Sequence, residues 1–551
     1  MGYAGKIFRP SYWKKGLDYI RYFGLKKAFS HFRKGTPAED RGDTDTPPTC
    51  WYGDYDSWVR AHAATMGYGE FLAAGDVNLG PEWLLLEDPG AKGLTYTSSF
   101  EKLVKQAMEA HPDCDFIYTD EDSYDPKDRK FKAPLMKPDF SPDYISDVNY
   151  IGHGVAVKKS LFDAVGGIDP SYGGAAYYDL ILRLTEQAKE IVHITGVLCH
   201  NVYGTAGLEY ERKEQIPDVR STENRYAEGA LGLPEEDREN GLRAVEAHNA
   251  RLGRKTKVVS GPRTGIYNSL YEVQGDPLVS IIIPNKDHTD DLDKCVRSLF
   301  EKNTYKHIEI IVVENNSTED ETFAYYDRLQ KNPSVRVVYF KGKFNYSAIN
   351  NFGIEKARGD YLLLLNNDTE IKEPDSIARM LGRLQRPDLG IVGAKLYYPD
   401  GTIQHGGVVV GLGGVGAHAF MMFPGESEGY MARLAAAGNY SAVTAACLMV
   451  KRAAYEEAGG LNEDLEVAFN DVDFCLRVRK TGRLIAFEPH AELWHYESKS
   501  RGNDDTPEKK KRFDGEVFRF IDLWRSYILE PGDPFYNSSL TLNTTDFSLK
   551  P

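Results

Sequence analysis

The sequence predicts an α/β protein whose main sheet is parallel and carries its functional residues at one edge. Between residues 278 and 365, short apolar runs alternate with amphipathic segments of helical length, as expected for a parallel sheet covered by helices. The runs show no polar alternation, so each strand is expected to be buried on both faces. Each run ends abruptly in polar residues, and a shorter region with similar segments precedes it.

The alternating elements can be assigned in order. Strands are predicted at 278–283, 308–313, 335–340 and 361–365, with helices at 292–300, 319–329 and 346–357. Right-handed crossovers would bring the four strand ends to one edge of the sheet, where open α/β sheets bind ligands. The polar segments expected at this edge are 284–287, 314–317, 341–345 and 366–368.

The segment GDYLLLLNNDTE (359–370) is the main candidate for a functional strand end. Asn366, Asn367 and Asp368 directly follow five apolar residues, and oxygen ligands at such an edge suit a hard divalent cation. The same residues could equally form a turn and a helix cap. The flanking chain favours the functional interpretation, because four polar strand ends converging on one crevice exceed what a turn requires.

Length, charge and cysteine content exclude several classes of protein. A chain of 551 residues suggests several domains, and a net charge of −15 argues against nucleic-acid binding. The six cysteines are far apart and include no CxxC pair, so we expect free thiols in a reducing compartment and no zinc site. No apolar run of about 18 residues and no signal peptide is visible, so no transmembrane helix is expected.

The first 34 residues differ from the acidic average of the chain. They contain nine basic residues and one acidic residue, interleaved with aromatic and aliphatic residues at near-helical spacing. Such a segment can lie in the interface of an anionic membrane, or it can be a helical extension that packs on the protein body. Residues 35–50 are rich in proline, threonine and charge and are predicted to be a linker.

Internal similarity indicates a duplication. GEFLAAGDVN (69–78) resembles GDYLLLLNND (359–368), VKKSLFDAVGGID (157–169) resembles VKRAAYEEAGGLN (450–462), and Asp179 with Arg183 matches Asp471 with Arg477, all at nearly one offset. The first copy, at 51–211, is too short to hold three strand–helix units before its core strand. We therefore expect a truncated domain without a nucleotide pocket. A charged, helical connector is expected at 212–276, ending in a strand pattern near Tyr267–Val273.

A series of motifs in the second region resembles family 2 glycosyltransferases of the GT-A fold, which build bacterial surface polysaccharides such as O-antigen and include rhamnosyltransferases. The motifs are VSIIIPNKD (279–287), VVENNS (312–317), FNYSAINNFGIEKARGDYLLLLNNDTE (344–370), VGAKLYYPDGTIQHGG (392–407), NYSAVTAACLMVKR (439–452), AFNDVDFCLRVR (468–479) and AELWHYES (491–498). The resemblance implies a Rossmann-like catalytic GT-A domain at 277–530 and a tail at 531–551. It also implies that the first copy is a degenerate GT-A-like domain.

The resemblance implies a divalent cation, Mn²⁺ or Mg²⁺, that neutralises the diphosphate of a nucleotide sugar. The family's Asp-x-Asp motif corresponds here to Asn366-Asn367-Asp368, so Asp368 is the expected ligand, and His495 in ELWHYES is the second. An imidazole beside a carboxylate favours Mn²⁺ somewhat over Mg²⁺. A histidine in an aromatic run can instead be a packed core residue.

The resemblance also assigns a catalytic base and a set of nucleotide-sugar contacts. Asp471 corresponds to the general base of an inverting transfer, although it could also cap the helix that follows. Asp473 is expected to be structural or to face the acceptor. The expected nucleotide-sugar contacts are Pro284, Asn285, Asp287, Glu314, Asn345, Asn350, Asn366 and Asn367. For Asn345 and Asn350, capping of a helix is an equal alternative.

The sequence thus predicts an inverting, metal-dependent glycosyltransferase that moves a sugar from a UDP- or dTDP-sugar to a lipid-linked glycan. It would be a cytoplasmic enzyme, peripheral on the inner face of the membrane, with the basic amino terminus (residues 1–50) as its contact with anionic lipid. In the first copy, 76–78 would take the metal position and Asp179 the base position. We expect that copy to be non-catalytic and to bind acceptor or to form a homodimer. The alternatives are a two-site polymerase and a scaffold with a decayed site.

Overall fold

The first described region is a seven-stranded sheet covered by short helices. The computed structural model describes residues 55–59, 71–91, 93–127, 129–202, 237–496, 506–529 and 531–550. The strands are β1 (Phe71–Ala73), β2 (Trp83–Leu85), β3 (Leu94–Thr97), β4 (Phe116–Asp125), β5 (Lys130–Leu135), β6 (Val155–Lys158) and β7 (Ile191–Val202). The helices are α1 (Phe100–Ala110), α2 (Pro142–Asp147), α3 (Lys159–Ala164), α4 (Ala176–Gln187) and α5 (Arg238–Arg251). A hairpin of β8 (Thr256–Ser260) and β9 (Tyr267–Tyr271) leads to the second region.

The second region is a ten-stranded mixed sheet with helices on both faces. Its strands are β10 (Val279–Asn285), β11 (Ile308–Glu314), β12 (Val335–Tyr339), β13 (Tyr361–Leu365), β14 (Thr369–Ile371), β15 (Leu389–Tyr397), β16 (Ile403–His405), β19 (Gly438–Asn439), β20 (Cys447–Lys451) and β21 (Leu484–His495), and a hairpin contains β17 (Val408–Val410) and β18 (Gly416–His418). The helices are α6 (Thr289–Glu301), α7 (Asp320–Leu329), α8 (Tyr346–Lys356), α9 (Ser376–Leu384), α10 (Arg452–Glu457), α11 (Asn470–Lys480) and α12 (Pro507–Ile528).

The predicted parallel arrangement is confirmed for four strands. β12, β11, β10 and β13 lie side by side in that order and run parallel. Ile281 pairs with Ile310 on one side and with Leu363 on the other, and these residues are almost completely buried, as expected for strands between two helix layers. Beyond β13 the sheet changes direction, because β20 is antiparallel to both β13 and β15. The α/β prediction is therefore correct, but the complete sheet is mixed.

Both sheets contain the same four-strand arrangement, and it corrects the alignment of the predicted repeat. The series β2–β6–β4–β7 is joined by antiparallel, antiparallel and parallel pairings, and so is β13–β20–β15–β21. Leu84 pairs with Val157 as Leu362 pairs with Val450. The counterpart of β13 is therefore Trp83–Leu85, whereas the 69–78 segment contributes the edge strand β1, whose partner among the described strands is β3.

Side-chain contacts and strand pairings on the matching elements show which residues of the first copy stand at the positions of Asp471, Asp473 and His495. The Arg183 Nε donates to Asp179 at 2.8 Å, and the Arg477 Nε donates to Asp473 at 2.8 Å. Asp179 therefore corresponds to Asp473 and not to Asp471, and the predicted base position of the first copy is occupied by Tyr177. A counterpart of His495 also exists, since His200 faces Thr95 across β7 and β3 as His495 faces Thr369 across β21 and β14.

Buried charges join the two regions. The Asp143 carboxylate on α2 accepts hydrogen bonds from Arg383 Nη1 at 2.8 Å, from Arg386 Nη1 and from Asn439 Nδ2 at 2.8 Å. Burial by itself would raise the pKa of Asp143, but Arg386 and Arg383 hold this pKa well below its usual range. Arg383 also donates to Glu488 at 2.7 Å, so a network of buried charges lies between the first region and the second.

The predicted carboxy-terminal tail is part of the folded body. Asn537 Nδ2 donates to both oxygens of Asp120 at 2.9 Å and to the backbone carbonyl of Lys137 at 2.8 Å. The Phe547 ring stacks on Phe420 with 4.6 Å between the ring centroids. Residues 531–550 therefore bridge the first sheet and the second, and the chain from Trp51 onward forms one compact unit.

Other predictions have mixed outcomes. The five cysteines in the described ranges (Cys114, Cys199, Cys295, Cys447 and Cys475) are free and buried. Among the described residues, no helix combines the length and the hydropathy needed to cross a bilayer. In the described part of the connector, α5 is followed by the β8–β9 hairpin, and β9 (Tyr267–Tyr271) confirms the strand predicted near Tyr267–Val273. The basic segment 1–34 and the linker 35–50 lie outside the described residues.

Candidate active site

A cleft of about 940 Å³ lies at the carboxyl ends of β10 and β13. It is bounded by the loops after these strands, by the start of α11 and by the first turns of α12. The sequence-predicted residues that line it are Pro284, Asn285, Asp287, Asn366, Asn367, Asp368, Asp471 and His495. The predicted edge of the sheet is thus the wall of one cleft, as the topology of the parallel strands requires.

The two predicted metal ligands converge in this cleft. Antiparallel pairing of β14 with β21 sets Thr369 opposite His495, which brings His495 Nε2 to 3.2 Å from Asp368 Oδ1. Both residues are only 5% exposed. His495 Nδ1 is buried and has no hydrogen-bond partner in the part of the chain that the structure describes. A carboxylate and an imidazole are therefore held side by side at the wall of the cleft.

This pair fits a divalent cation. Two ligands bound to one octahedral ion at about 2.1 Å and at right angles are about 3 Å apart, close to the separation observed here. No group of three or more His, Cys, Asp or Glu side chains suited to a metal occurs among the described residues. An ion held by Asp368 and His495 would keep open positions for phosphate oxygens and water, which is typical of Mg²⁺ and Mn²⁺ at phosphate sites.

The amides of the NND segment join the two sides of the site. Asn366 accepts a hydrogen bond from the Tyr346 hydroxyl at 3.3 Å, and its Nδ2 lies 3.2 Å from His495 Nε2. Asn367 Nδ2 donates to Asn285 Oδ1 at 2.7 Å, which ties the end of β13 to the end of β10. Burial first, and then the nearby Asp471 charge, raise the pKa of Tyr346. Its hydroxyl therefore stays a neutral hydrogen-bond donor.

At the neighbouring strand ends, one predicted contact reaches the cleft and another does not. Asp287 lines the cleft, and its Oδ1 accepts from the backbone N–H groups of Thr318 and Glu319 at 2.9 and 3.1 Å. Burial by itself would raise the pKa of Asp287, but these hydrogen bonds lower it. Glu314 is 3% exposed and does not line the cleft, because its carboxylate is bound by the Tyr326 hydroxyl at 2.6 Å and by the Ser317 loop.

Asn345 and Asn350 also do not reach the cleft, and the helix explains both. Asn345 is the N-cap of α8: its Oδ1 accepts from the N–H of Ala348 at 3.0 Å, and its Nδ2 donates to the carbonyl of Glu463 at 2.8 Å. Asn350 is fully buried and donates to the carbonyl of Tyr346 at 2.8 Å. The capping alternative therefore holds for Asn345, and Asn350 supports the same helix from within.

Asp471 stands in the first turn of α11 and lines the same cleft. Its Oδ2 accepts from the N–H of Ala445 at 3.1 Å and its Oδ1 from the N–H of Val472 at 2.8 Å. The helix N-cap is Phe469 and not Asp471, so the carboxylate does not serve as the cap. Asp473 has a different environment, since it is 1% exposed and bound to Arg477 and to Trp524 Nε1 at 2.9 Å. The structural role expected for Asp473 is confirmed.

The loop before Asp471 is fixed by α12. Glu516 is 4% exposed and accepts from the backbone N–H groups of Val467 and Ala468, both at 3.0 Å. Phe469 has a left-handed backbone (φ 60°), which is unfavourable for an aromatic residue, and its ring packs on Phe520 at 5.3 Å. These contacts hold a strained turn so that Asp471 faces the cleft.

Sequence reasoning missed several residues of the cleft wall. Lys509, Arg512 and Phe513 reach it from α12, and Gln404 and His418 reach it from the β16–β18 segment. The basic run KKKR (509–512) was the available signal for the first group. Its relation to the cleft depends on how α12 packs on α11, which no local pattern reveals.

The fold and the site can now be compared with known proteins. Residues 280–457 match the family described as glycosyl transferase family 2. An uncharacterised protein of Sinorhizobium fredii is 42% identical over 452 residues, covering 81% of this chain and 47% of that protein. An O-antigen biosynthesis protein of Myxococcus xanthus is 37% identical over 448 residues, covering 81% of this chain and 33% of that protein. The chain thus spans half or less of the length of these relatives.

A third relative is shorter. An N-acetylglucosaminyl-diphospho-decaprenol L-rhamnosyltransferase of Mycobacterium tuberculosis is 25% identical over 224 residues, covering 36% of this chain and 70% of that protein. Among solved structures, a mannosyltransferase of Pyrobaculum calidifontis in complex with GDP-Man and Mn²⁺ gives a TM-score of 0.35 at 14% identity, over 48% of this chain and 69% of that one. This likeness is too low for a comparison of individual site residues.

Proposed function

The chain contains a glycosyltransferase domain of family 2 at residues 280–457, and from this premise we propose that the protein transfers a sugar from a nucleotide sugar to a glycan with inversion. The observation that carries the proposal is the pairing of Asp368 with His495 in the same cleft as Asp471. One wall of the cleft offers ligands for a cation that meets a diphosphate. The other wall offers a carboxylate that can take a proton.

In this proposal Asp368 and His495 hold Mn²⁺ or Mg²⁺ against the diphosphate of the donor. The cation supplies electrostatic stabilisation of the negative charge that grows on the leaving group. Asn366 Nδ2 lies 3.2 Å from His495 Nε2 and would release this nitrogen to the cation, while the Tyr346 hydroxyl holds the Asn366 side-chain oxygen in place. Replacement of the first Asp of the family motif by Asn366 removes one negative charge but keeps an amide oxygen that could serve a cation.

Asp471 acts as the general base. Its carboxylate is half-buried and oriented by the N–H groups of Ala445 and Val472, and the remaining face is directed to the cleft. It would remove the proton of the acceptor hydroxyl as that oxygen attacks the anomeric carbon from the side opposite the leaving diphosphate. A single displacement of this kind needs one base and inverts the configuration at that carbon.

Pro284, Asn285, Asp287 and Asn367 are proposed to contact the nucleotide, which would be UDP or dTDP. The acceptor is proposed to be a lipid-linked glycan of a surface polysaccharide, because the relatives include the O-antigen biosynthesis protein and the N-acetylglucosaminyl-diphospho-decaprenol L-rhamnosyltransferase. The basic segment 1–34 would hold the enzyme at the cytoplasmic face of an anionic membrane. Substituting Lys14, Lys15, Lys26 and Lys27 by Glu in the full chain should abolish co-sedimentation with anionic vesicles; unchanged co-sedimentation would refute this part.

The first region is proposed to be a degenerate, non-catalytic copy of the GT-A arrangement that serves acceptor binding or dimerisation. The shared four-strand series supports this origin. Tyr177 stands where a base would be, is buried, and donates to the carbonyl of Gly152 at 3.1 Å. A protein with two working sites would retain one activity in an Asp471→Asn variant, so complete loss of transfer in that variant would argue against a two-site polymerase.

The first test of the function is nucleotide release by the full chain from a panel of UDP-, dTDP- and GDP-sugars, with Mn²⁺ or with EDTA. We expect release from one donor only when the metal is present. His495→Ala should raise the Mn²⁺ concentration needed for half-maximal rate. His490→Ala is the matched control, because His490 lies on the same strand and its Nε2 contacts the carbonyl of Ala435 at 3.1 Å, away from the cleft.

Two outcomes would contradict the proposal. Release that is independent of metal would remove the role of Asp368 and His495. Silence with every donor, even after addition of a lipid-linked acceptor extract, would favour a scaffold whose site has decayed at Asn366.

A further inference from the structure

Helix α12 changes character along its length where it reaches the cleft. Its buried face runs through Ile528, Trp524, Phe520 and Glu516, at intervals of four residues. One turn further towards the amino end, the same face presents Arg512, with Lys509 one turn beyond. These two side chains line the cleft. The face of α12 that packs on the protein near its carboxyl end therefore carries Arg512 and Lys509 at the cleft near its amino end.

The position of these cations is fixed by the body of the protein. The helix begins at a defined cap, where Thr506 Oγ1 accepts from the N–H of Lys509 at 3.2 Å. Glu516 and Trp524 anchor the helix to the loop and the helix that carry Asp471, through the hydrogen bonds at 3.0 Å and 2.9 Å described above. Arg512 Nε lies 3.9 Å from Glu516 Oε2, so it is part of the same anchored cluster.

We propose that Lys509 and Arg512 bind the diphosphate group of the ligand that occupies the cleft, an inference that rests on the proposed function. The protein carries a net charge of −15, and Asp368 and Asp471 add negative charge to the cleft wall itself. A diphosphate carries two to three negative charges and would be repelled unless cations surround it. One divalent ion on Asp368 and His495 neutralises part of that charge, and a lysine and an arginine on the facing helix supply the rest.

Two ligands of this reaction could bring a diphosphate to these residues. One is the nucleotide sugar, whose diphosphate becomes the leaving group. The other is an acceptor glycan joined to a lipid through a diphosphate. The chemistry recognised is the same in both cases, so binding measurements with separate probes must distinguish them.

The experiment uses the full chain and a double variant, Lys509→Ala with Arg512→Ala. The matched control is Lys510→Ala with Lys511→Ala, which removes the same charge from the same turn at exposed positions that do not line the cleft. Dissociation constants are measured in Mn²⁺ for UDP or dTDP, for the corresponding nucleoside, for inorganic diphosphate, and for farnesyl diphosphate in detergent. Each lost charge-assisted contact weakens binding by about 10-fold or more.

If the donor is the source, the double variant binds the nucleoside diphosphate and inorganic diphosphate at least 10-fold more weakly, and the nucleoside is unaffected. If the acceptor is the source, only farnesyl diphosphate and inorganic diphosphate lose affinity. The control double variant should match the wild type. The single variants Lys509→Arg and Arg512→Lys, which keep the charge, should restore most of the affinity and guard against misfolding as an explanation.

The inference is overturned if the cleft-facing and control double variants bind every diphosphate within twofold of each other. This result is separable from failure of the proposed function. A wild-type protein that binds the diphosphates through Lys509 and Arg512 but transfers no sugar would leave the inference standing. A protein that transfers sugar with unchanged kinetic constants in the double variant would leave only the function standing.

Discussion

Asp471 and Asp473 lie two residues apart on α11, and the structure predicts opposite consequences for the same substitution at these positions. Asp471→Asn should slow sugar transfer, because the amide cannot accept the proton of the attacking hydroxyl. General-base catalysis contributes about 10²- to 10⁴-fold, which corresponds to about 3 to 5.5 kcal/mol of activation free energy. The free energy of unfolding should fall by only about 1 kcal/mol, since one of the two N–H contacts, to Ala445 or Val472, remains possible.

Asp473→Asn should have the reverse effect. The Asp473 side chain is 2% exposed, and its two oxygens accept from Arg477 Nε at 2.8 Å and from Trp524 Nε1 at 2.9 Å. The asparagine side chain has one oxygen that can accept from either Arg477 or Trp524. Its NH₂ group then faces the remaining donor in a buried environment. Losing a charge-assisted hydrogen bond and leaving a donor unsatisfied costs about 2 to 4 kcal/mol of stability. Turnover of the protein that remains folded should stay near the wild-type value.

The assay combines initial rates of sugar transfer at saturating donor with urea unfolding of the same preparations. Both variants are measured at a temperature where wild type and Asp473→Asn are fully folded. The reasoning is refuted if Asp471→Asn retains turnover within about threefold of wild type. It is equally refuted if Asp473→Asn loses 100-fold in rate at unchanged stability, because the two roles would then be exchanged.

Three further predictions concern stability and positioning. Burial alone would lower the pKa of His153, but the carboxylates of Glu121 and Asp88 outweigh burial and raise this pKa to about 9. The stability that the His153 charge contributes should therefore be complete below about pH 6.5 and be lost as the pH rises through 9. The free energies of unfolding of wild type and His153→Gln, measured by urea titration, should converge at high pH. Arg383→Met should cost about 3–5 kcal/mol in the same assay, because it leaves buried Glu488 without its guanidinium partner and removes one of the two guanidinium partners of Asp143. Glu516→Gln should reduce turnover about 10-fold with little change in donor KM, because the loop before the base loses a charge-assisted clamp.

The Arg383 and Glu516 variants each have a control on the same element. Arg379→Met lies on α9 with Arg383, but its partner Asp375 is 44% exposed, so its loss should cost less than about 1 kcal/mol. Glu508→Gln changes an exposed position of α12 and should leave turnover unchanged. A pH-independent stability difference between wild type and His153→Gln would show that His153 is not charged in the folded protein.

The sequence predicted the part of the fold and the site that depends on local pattern and strand order. The buried runs became β10, β11, β12 and β13 to within two residues at each end, because continuous apolar strands have few alternatives between two helix layers. Parallel strand ends must share an edge, so Asp287 and Asp368 were expected together and line one cleft. The approach of His495 to Asp368 followed from a motif resemblance, and the pairing of β14 with β21 explains it physically.

The sequence left a choice open, or gave no signal, where side chains compete for nearby backbone groups or where distant segments pack together. Asn345 has the residue type of a ligand contact, yet the first turn of α8 uses its oxygen as a cap. Glu314 is bound by its own loop through Ser317. The match of Asp179 with Asp471 was wrong on spacing: Asp179 and Asp473 each lie four residues before the arginine they bind, whereas Asp471 lies six residues before Arg477. Lys509 reaches the cleft only through the docking of α12, which no spacing encodes.

The buried contacts between the two sheets restrict how this protein can change by recombination. Asp143 depends on guanidinium groups from the end of α9 and the residues just after it, and Asp120 depends on an amide from a segment more than 400 residues later in the chain. A foreign first region inserted by gene exchange would have to bring carboxylates that fit these same partners, or it would leave charges unpaired in a dry interface. Substitutions in the wall of the cleft leave these contacts intact, whereas the first region must be inherited together with the domain that it supports.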